Sequence, residues 1–422
     1  MLKNITRALS LSLSLSLLIS HNICANETSS IETISQPTTI QFLEKFGAGF
    51  ANLEHKNLGD RVQLYLPGHN SKTGIVKLRL PNGSKLSYGE IVMYGGDMFG
   101  NPAKPISNCS EKNRLACFQA QFDALGTLGN KQDKRCSNPL NQITHLDRFF
   151  TNLAEEIEKS KQNGTNDWDY YKQHDSAISK ELNKLTCGGS IISGFIPFGN
   201  YIKLAEVNYD HFVPDSLVAY KTGHRFALET ALKAYEKKQQ GLIDEAHKLL
   251  ELAYAQNAFA NHYLTDSFSA GHMRTPRRAI GHDILLPSVL NLLIANLMHN
   301  EDNQHGLNVV NHEGISWLAY GDGYLYKPEA ELQRVVILDA MQRSADSIHS
   351  TFMNGVIPEH YPEMDVFPDY SKIEQINDTA PLFKVENGVL LKRVNNKDHY
   401  DHHWTKYWSG LVTLIEFQVN KI

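Results

Sequence analysis

His262-Tyr263-Leu264-Thr265-Asp266-Ser267-Phe268-Ser269-Ala270-Gly271-His272 is a His-x3-Asp-x5-His array at the end of a strongly helical stretch. Residues four apart share a helix face, so His262 and Asp266 can reach one metal ion from the same side. His272 lies ten residues past His262, roughly 15 Å further along an unbroken helix. That is too far to share the ion. Either the helix breaks at Gly271, or His272 holds a second ion a few ångströms away. Imidazole and carboxylate together suit zinc. The plain alternative is a helix carrying two surface histidines and a capping Asp, since short ligand spacings give many chance matches.

Working outward, residues 242–268 read as one helix, with Leu242, Ala246, Leu249, Ala253 and Leu264 among its apolar positions. His262 and Asp266 fall in its last turns. An amphipathic helix over 216–238 precedes it. A third helix over 287–301 has a narrow polar stripe and reads as buried nearly all round. A fourth covers 328–352 and ends near Met353-Asn354-Gly355. Towards the N-terminus, 42–58 read as helical, and 61–94 carry β signals with a turn at Pro81-Asn82-Gly83. Residues 101–140 read as an irregular, cysteine-linked excursion, and the chain turns helical again from Gln142. Beyond Pro368 the pattern changes: 383–391 form a hairpin around Asn387-Gly388, and 410–419 read as a strand. The expected fold is mainly α, with N-terminal β-hairpin insertions and a small C-terminal β appendage over 370–422.

Residues 1–25 read as a secretory signal peptide, with Lys3 and Arg7 before a Leu/Ser core and a small-residue cleavage site around Ile23-Cys24-Ala25. A lipoprotein signal at Cys24 is the alternative, but His-Asn-Ile before it lacks the usual small residues. Residues 26–41 read as a disordered leader, and no later segment is long enough to span a membrane. Loss of the two basic residues takes the net charge from −5 to −7. An acidic chain makes a poor general nucleic-acid binder. Four cysteines remain, Cys109, Cys117, Cys136 and Cys187. An even number in an exported chain points to two disulfides, with three pairings open. No Cys-x2-Cys pair supports a thiolate metal site.

Further segments complete a pattern. They are Tyr88-Gly89-Glu90-Ile91-Val92-Met93-Tyr94-Gly95-Gly96-Asp97-Met98-Phe99-Gly100, Asn208-Tyr209-Asp210-His211-Phe212-Val213-Pro214-Asp215, and Leu297-Met298-His299-Asn300-Glu301-Asp302-Asn303. With the His262–His272 array, they resemble the zinc-dependent bacterial phospholipases C of the secreted, phosphatidylcholine-hydrolysing Gram-negative branch. The resemblance runs from about residue 47 to about residue 325. The His-x3-Asp-x5-His array is shared with zinc nucleases of the same fold. The Gly-Asp-x-Phe-Gly segment and the run through His272-Met273-Arg274-Thr275-Pro276 look specific to the phospholipase branch.

The resemblance implies a catalytic domain over 42–369 with two or three zinc ions. His211, His262 and Asp266 would hold the first, with Asp97 touching it and serving as general base. His272, His299 and Asp302 would hold the second. Glu301 is a rival carboxylate and His282 a rival histidine, because the family pairs its histidine with a carboxylate four residues on and this chain departs from that. The third ion's amino-terminal tryptophan is missing, and His55 is the substitute. His224 reads as structural or as a support for the ligands. Tyr400, Trp404, Tyr407 and Trp408, with His399, His402 and His403, read as packing between appendage and body, with a lipid interface as the alternative. The expected activity is hydrolysis of the glycerol-side phosphodiester, with phosphatidylcholine favoured and phosphatidylglycerol as a second substrate. The long apolar helix leading into His299 is expected to adjoin the metals and favour a glycerolipid. The expected protein is a secreted monomer acting on phospholipid at a membrane surface. A single-strand nuclease of the same fold and a non-catalytic, metal-stabilised host-binding protein are the alternatives.

Overall fold

The computed structural model describes residues 52–409 and 413, apart from 68–70, 127–138, 187, 189–199 and 284–287. The expected signal peptide and leader, Cys136, Cys187 and the expected strand at 410–419, save Thr413, lie outside the described residues. The chain is mainly helical with small antiparallel sheets. Among the described residues, no helix is long and apolar enough to cross a membrane.

Two long helices make the frame, α7 (Asp215–Gln239) and α8 (Ile243–Asp266), counted after six shorter or peripheral ones. The chain reverses between them at Gly241, whose φ of +77° suits a residue without Cβ. The contact face of α7 is rich in small residues, with Ala219, Gly223, Ala227, Ala231 and Ala234, so the two backbones lie close. Every residue of α8 from Ala253 to Asp266 is buried. A helix enclosed all round must satisfy its polar groups internally. Asn257 and Asn261 each donate to the Tyr88 hydroxyl at 2.8 Å, and His224 Nδ1 meets Asn257 Oδ1 at 2.7 Å. His224 is therefore a buried tie between helices, in line with the structural reading.

Around this hairpin, α1 (Asn52–Gly59) packs on α2 (Tyr88–Tyr94), and β1 (Lys77–Arg79) pairs with β2 (Lys85–Ser87) across the expected turn. The β signals expected through residue 94 give way to helix at 88. The cause is a capping box. Ser87 Oγ accepts from the Glu90 amide at 3.1 Å, and the Glu90 carboxylate accepts from the Ser87 amide at 2.7 Å. The 101–140 excursion is likewise not wholly irregular, because it contains α3 (Arg114–Gly126). A Cys109–Cys117 disulfide ties the preceding loop to that helix. The helical turn expected from Gln142 is α4 (Pro139–Gln162), followed by α5 (Asp167–Leu185) and α6 (Asn200–Glu206).

After Asp266 the chain breaks at Ser267–Ser269, before Gly271, and restarts as α9 (Ala270–Arg274). The helix α10 (Ser288–His305) follows, then a hairpin of β3 (Leu307–Val310) and β4 (Ser316–Ala319). Helix α11 (Glu331–Asn354) ends at Gly355 in the left-handed region. The C-terminal hairpin is present as expected, β5 (Phe383–Glu386) against β6 (Val389–Arg393), turning at Asn387 and Gly388 with φ of 51° and 73°. The apolar face of α10 is buried, as read. Its Leu290, Leu293, Ile294, Leu297 and Met298 join Ile280, Leu382, Phe383 and Leu390 in a second core. That face, expected to offer an apolar wall to lipid, packs against Leu382, Phe383 and Leu390 of the appendage.

Candidate metal centre

The break after Asp266 decides the site. It folds His272 back so that its Nδ1 lies 3.5 Å from Asp266 Oδ1, which an unbroken helix forbids. The carbonyl left at the break, that of Phe268, accepts from Gln333 Nε2 at 2.9 Å. His211 arrives on a short 3-10 turn, Tyr209–His211. The Val213 amide, just beyond, donates to the His272 carbonyl at 3.0 Å, so the two ligand segments are stitched together.

Asp266 sits at the centre of the cluster. Its Oδ2 is 2.8 Å from His211 Nδ1 and 3.4 Å from His262 Nε2, and its Oδ1 is 3.6 Å from His55 Nε2. Asp97 Oδ1 stands 3.7 Å from both His211 Nδ1 and His262 Nε2, while its Oδ2 accepts from Asn52 Nδ2 at 2.7 Å. A second group lies on the other side of His272. His299 Nε2 is 3.0 Å from His272 Nε2 and 3.0 Å from Asp322 Oδ2, and His272 Nε2 is 3.5 Å from Asp322 Oδ2. Among the described residues, three sets can hold a metal ion: His55, Asp97 and His262; His211, His262 and Asp266; His272, His299 and Asp322.

The structure thus gathers Asp97, His211, His262, Asp266, His272, His299 and His55. It does not bring Asp302 there. Asp302 turns away to accept from Arg274 Nε at 3.0 Å and from Arg274 Nη2. The rival Glu301 pairs with Arg393, at 2.6 Å from its Nη2, and with His399 Nδ1 at 3.2 Å. The helix-end register that suggested Asp302 was misleading because a buried arginine claims that carboxylate. The position four residues past His299 is Asn303, an amide whose Nδ2 lies 3.0 Å from His299 Nε2. The carboxylate comes from Asp322, on the loop after β4, which the sequence reading missed. The signal was Gly321-Asp322-Gly323, a turn much like Gly95-Gly96-Asp97. The side chain of His282, the rival histidine, lies outside those described.

Several observations fit a divalent cation. Four donors about 2.0–2.1 Å from a tetrahedral zinc lie roughly 3.3 Å from one another, close to the spacings above. His262 Nδ1 meets the Val92 carbonyl at 2.9 Å, and His55 Nδ1 meets Thr265 Oγ1 at 2.8 Å. Donation from those nitrogens leaves Nε2 of each ring as a lone pair facing the carboxylates. Among the described residues, His272 Nδ1 is one of the buried atoms without a hydrogen-bond partner. Burial pushes His55 down to about 4, and lowers His211, His262 and His272 as well. A lowered proton affinity suits rings that bind a metal as neutral imidazole. Burial also raises Asp97 and Asp266, each with another carboxylate nearby. Burial opposes the Asp322 charge too, but His272 and His299 outweigh it and hold that carboxyl below its ordinary range. His299 is lowered by burial and raised more by its bond to Asp322. The centre is rich in donors and short of positive charge, which a metal supplies.

Glycine makes the convergence sterically feasible. Gly96 has φ +62°, and a Cβ there would meet His262 Cδ2 at 2.5 Å and His211 Cε1 at 2.9 Å. At Gly271 a Cβ would meet the His299 carbonyl oxygen at 2.4 Å, so α9 could not pack on α10.

Comparison with known protein families, with curated proteins and with solved structures returns no match for this chain. In the C-terminal aromatic cluster, Trp408 packs on Phe383 with ring centroids 5.3 Å apart, and Trp404 Nε1 donates to the Pro381 carbonyl. Tyr400 and Tyr407 are exposed.

Proposed function

We propose that this chain is an exported zinc-dependent phospholipase C with two or three ions, releasing diacylglycerol and a phosphorylated headgroup. The observation that carries the reading is the placement of Asp266. One buried carboxylate faces His211 and His262 with one oxygen and His55 and His272 with the other. Such a residue joins neighbouring ion sites into one centre. When bound, zinc offsets negative charge building on a phosphodiester and makes water nucleophilic near neutral pH.

The chain's own groups do the rest. His211, His262 and Asp266 would hold one ion; His272, His299 and Asp322 another; and His55, with Asp97 or Asp266, a third. Asp97 has one oxygen held by Asn52 and the other facing the histidines, and we assign it the proton of the attacking water. The water oxygen bonds to phosphorus, the bond from phosphorus to the glycerol oxygen breaks, and diacylglycerol leaves with a proton that balances the one Asp97 took from the water. Lipid is preferred to nucleic acid on two grounds, the phospholipase-like wording around Asp97 and His262–Pro276, and the acidic balance of the chain.

The test is zinc content of the purified protein, followed by phosphate-ester release from phosphatidylcholine, phosphatidylglycerol and single-stranded DNA and RNA. Phosphocholine release that a chelator abolishes and zinc restores is expected. Rapid cleavage of nucleic acid with every phospholipid left intact would replace this reading with a nuclease. Bound zinc with neither activity would leave a binding protein.

A further inference from the structure

The carboxylate of the second metal group stands on a loop. Asp322 follows β4 in a stretch of turns without regular hydrogen bonding. The two histidines it faces stand on helices, where packing fixes them. A ligand on a loop holds an ion tightly only if other contacts remove its freedom.

Those contacts are present. On the near side, Gln333 accepts from the Tyr320 amide at 2.8 Å and donates to the Tyr320 carbonyl at 2.8 Å. On the far side, both oxygens of Glu54 are used. Its Oε2 accepts from the Gly323 amide at 2.9 Å, and its Oε1 accepts from the Leu325 amide at 2.9 Å. The carboxylate is buried, at 5 % exposure, and both bonds go to backbone, not to a side chain that could turn away. Glu54 also precedes His55 directly on α1. The residue that grips the Asp322 loop is thus rigidly joined to the histidine that faces Asp266.

We infer that Glu54 is a positioning residue for the metal centre. It fixes the Asp322 loop against α1, so that Asp322 meets His272 and His299 at the geometry a second ion requires. This rests on the metal-centre reading above and adds a residue to it. The two backbone N–H groups are met by two acceptor oxygens, one at each bond. In Glu54→Gln the amide nitrogen would face an N–H donor, and one of the two bonds would be lost. Outer contacts of this kind are worth about 10–100-fold in metal affinity.

The experiment measures metal affinity by chelator competition, with cobalt(II) as a spectroscopic probe. The proteins are the full chain, Glu54→Gln, Asp322→Asn and the double variant. The expected result is that Glu54→Gln loses about 10–100-fold in affinity for one ion and alters the absorption of that cobalt site alone. The double variant should lose no more than Asp322→Asn by itself, because Glu54 acts through Asp322. Losses that multiply in the double variant, or a Glu54→Gln protein that holds every ion as tightly as the unmodified chain, would overturn the inference. If Glu54→Gln does not fold, Glu54→Asp carries the same comparison, with a smaller expected loss of the same ion. Failure of the unmodified chain to take up any zinc or cobalt is a different outcome. It would remove the proposed function itself, and this inference with it.

Discussion

Asp302 and Asp322 are both buried acids within reach of α9 and α10, yet their partners differ. Asp302 is neutralised by Arg274, whereas Asp322 faces His272 and His299. Their substitutions should therefore separate stability from metal binding. Asp302→Asn breaks a buried ion pair and should cost about 3–5 kcal/mol of stability, with the metal content of the folded protein unchanged. Asp322→Asn should remove one ion and leave the metal-free protein close to its original stability. Thermal denaturation of the metal-free proteins and metal analysis of the folded ones would check both; metal loss in Asp302→Asn without destabilisation would reverse the assignment. A similar contrast applies to histidine. His262→Ala should abolish activity and lower bound zinc, because its Nε2 faces both Asp97 and Asp266. His299→Ala should do far more damage than His282→Ala, read as zinc per chain after dialysis.

At the scale of elements, the centre depends on backbones coming unusually close. The turn at Gly95-Gly96 lets the loop before Asp97 lie against the rings of His262 and His211. Gly96→Ala places a Cβ into His262 and requires a left-handed conformation that alanine resists. We expect a loss of more than about 1 kcal/mol in stability and weakened zinc at the first site, measured by chemical denaturation and chelator competition. The capping box at the start of α2 acts upstream of this turn. Ser87→Ala should cost about 1 kcal/mol and leave zinc affinity intact, since the cap is remote from the ligands. Equal loss of zinc in both variants would mean that α2 as a whole, and not the glycine turn, sets the ligand geometry.

For the whole molecule, the C-terminal unit is more than an ornament on the helical body. Arg393, fully buried, joins β6 to Glu301 on α10 and also donates to the Ala380 carbonyl at 2.7 Å. The apolar face of α10 lies on the same unit. Arg393→Ala leaves Glu301 buried with His399 as its remaining ionic partner, and should cost about 3–5 kcal/mol. Because α10 carries His299, zinc binding at the second group should weaken in parallel, which isothermal titration would detect. Intact zinc binding in a clearly destabilised Arg393→Ala protein would show that the appendage supports the fold alone. Metal removal from the unmodified chain should lower Tm by roughly several degrees, because ligands that bind only the folded state stabilise it by mass action. Zinc should restore it.

Much of this architecture is legible along the chain. Helical periodicity marks α7, α8, α10 and α11, and Asn387-Gly388 marks the C-terminal hairpin, because these signals act between residues a few positions apart. The same reasoning pairs His262 with Asp266 and shows that His272 cannot follow on an unbroken helix. The capping box at Ser87 and Glu90 is equally local, but it lies within a β-like composition that masks it. The rest is not a property of any short stretch. His55, Asp97, His211 and Asp322 reach the centre from four separate segments, and helix phase says nothing about distant neighbours. Asp302 stands at a plausible spacing from His299, but whether it faced a metal or an arginine depended on where Arg274 came to lie. The apolar face of α10 is readable as buried; that the appendage packs on it follows from contacts between remote segments. Spacing along the chain constrains which groups share one element, while the closing of a metal centre depends on which elements meet.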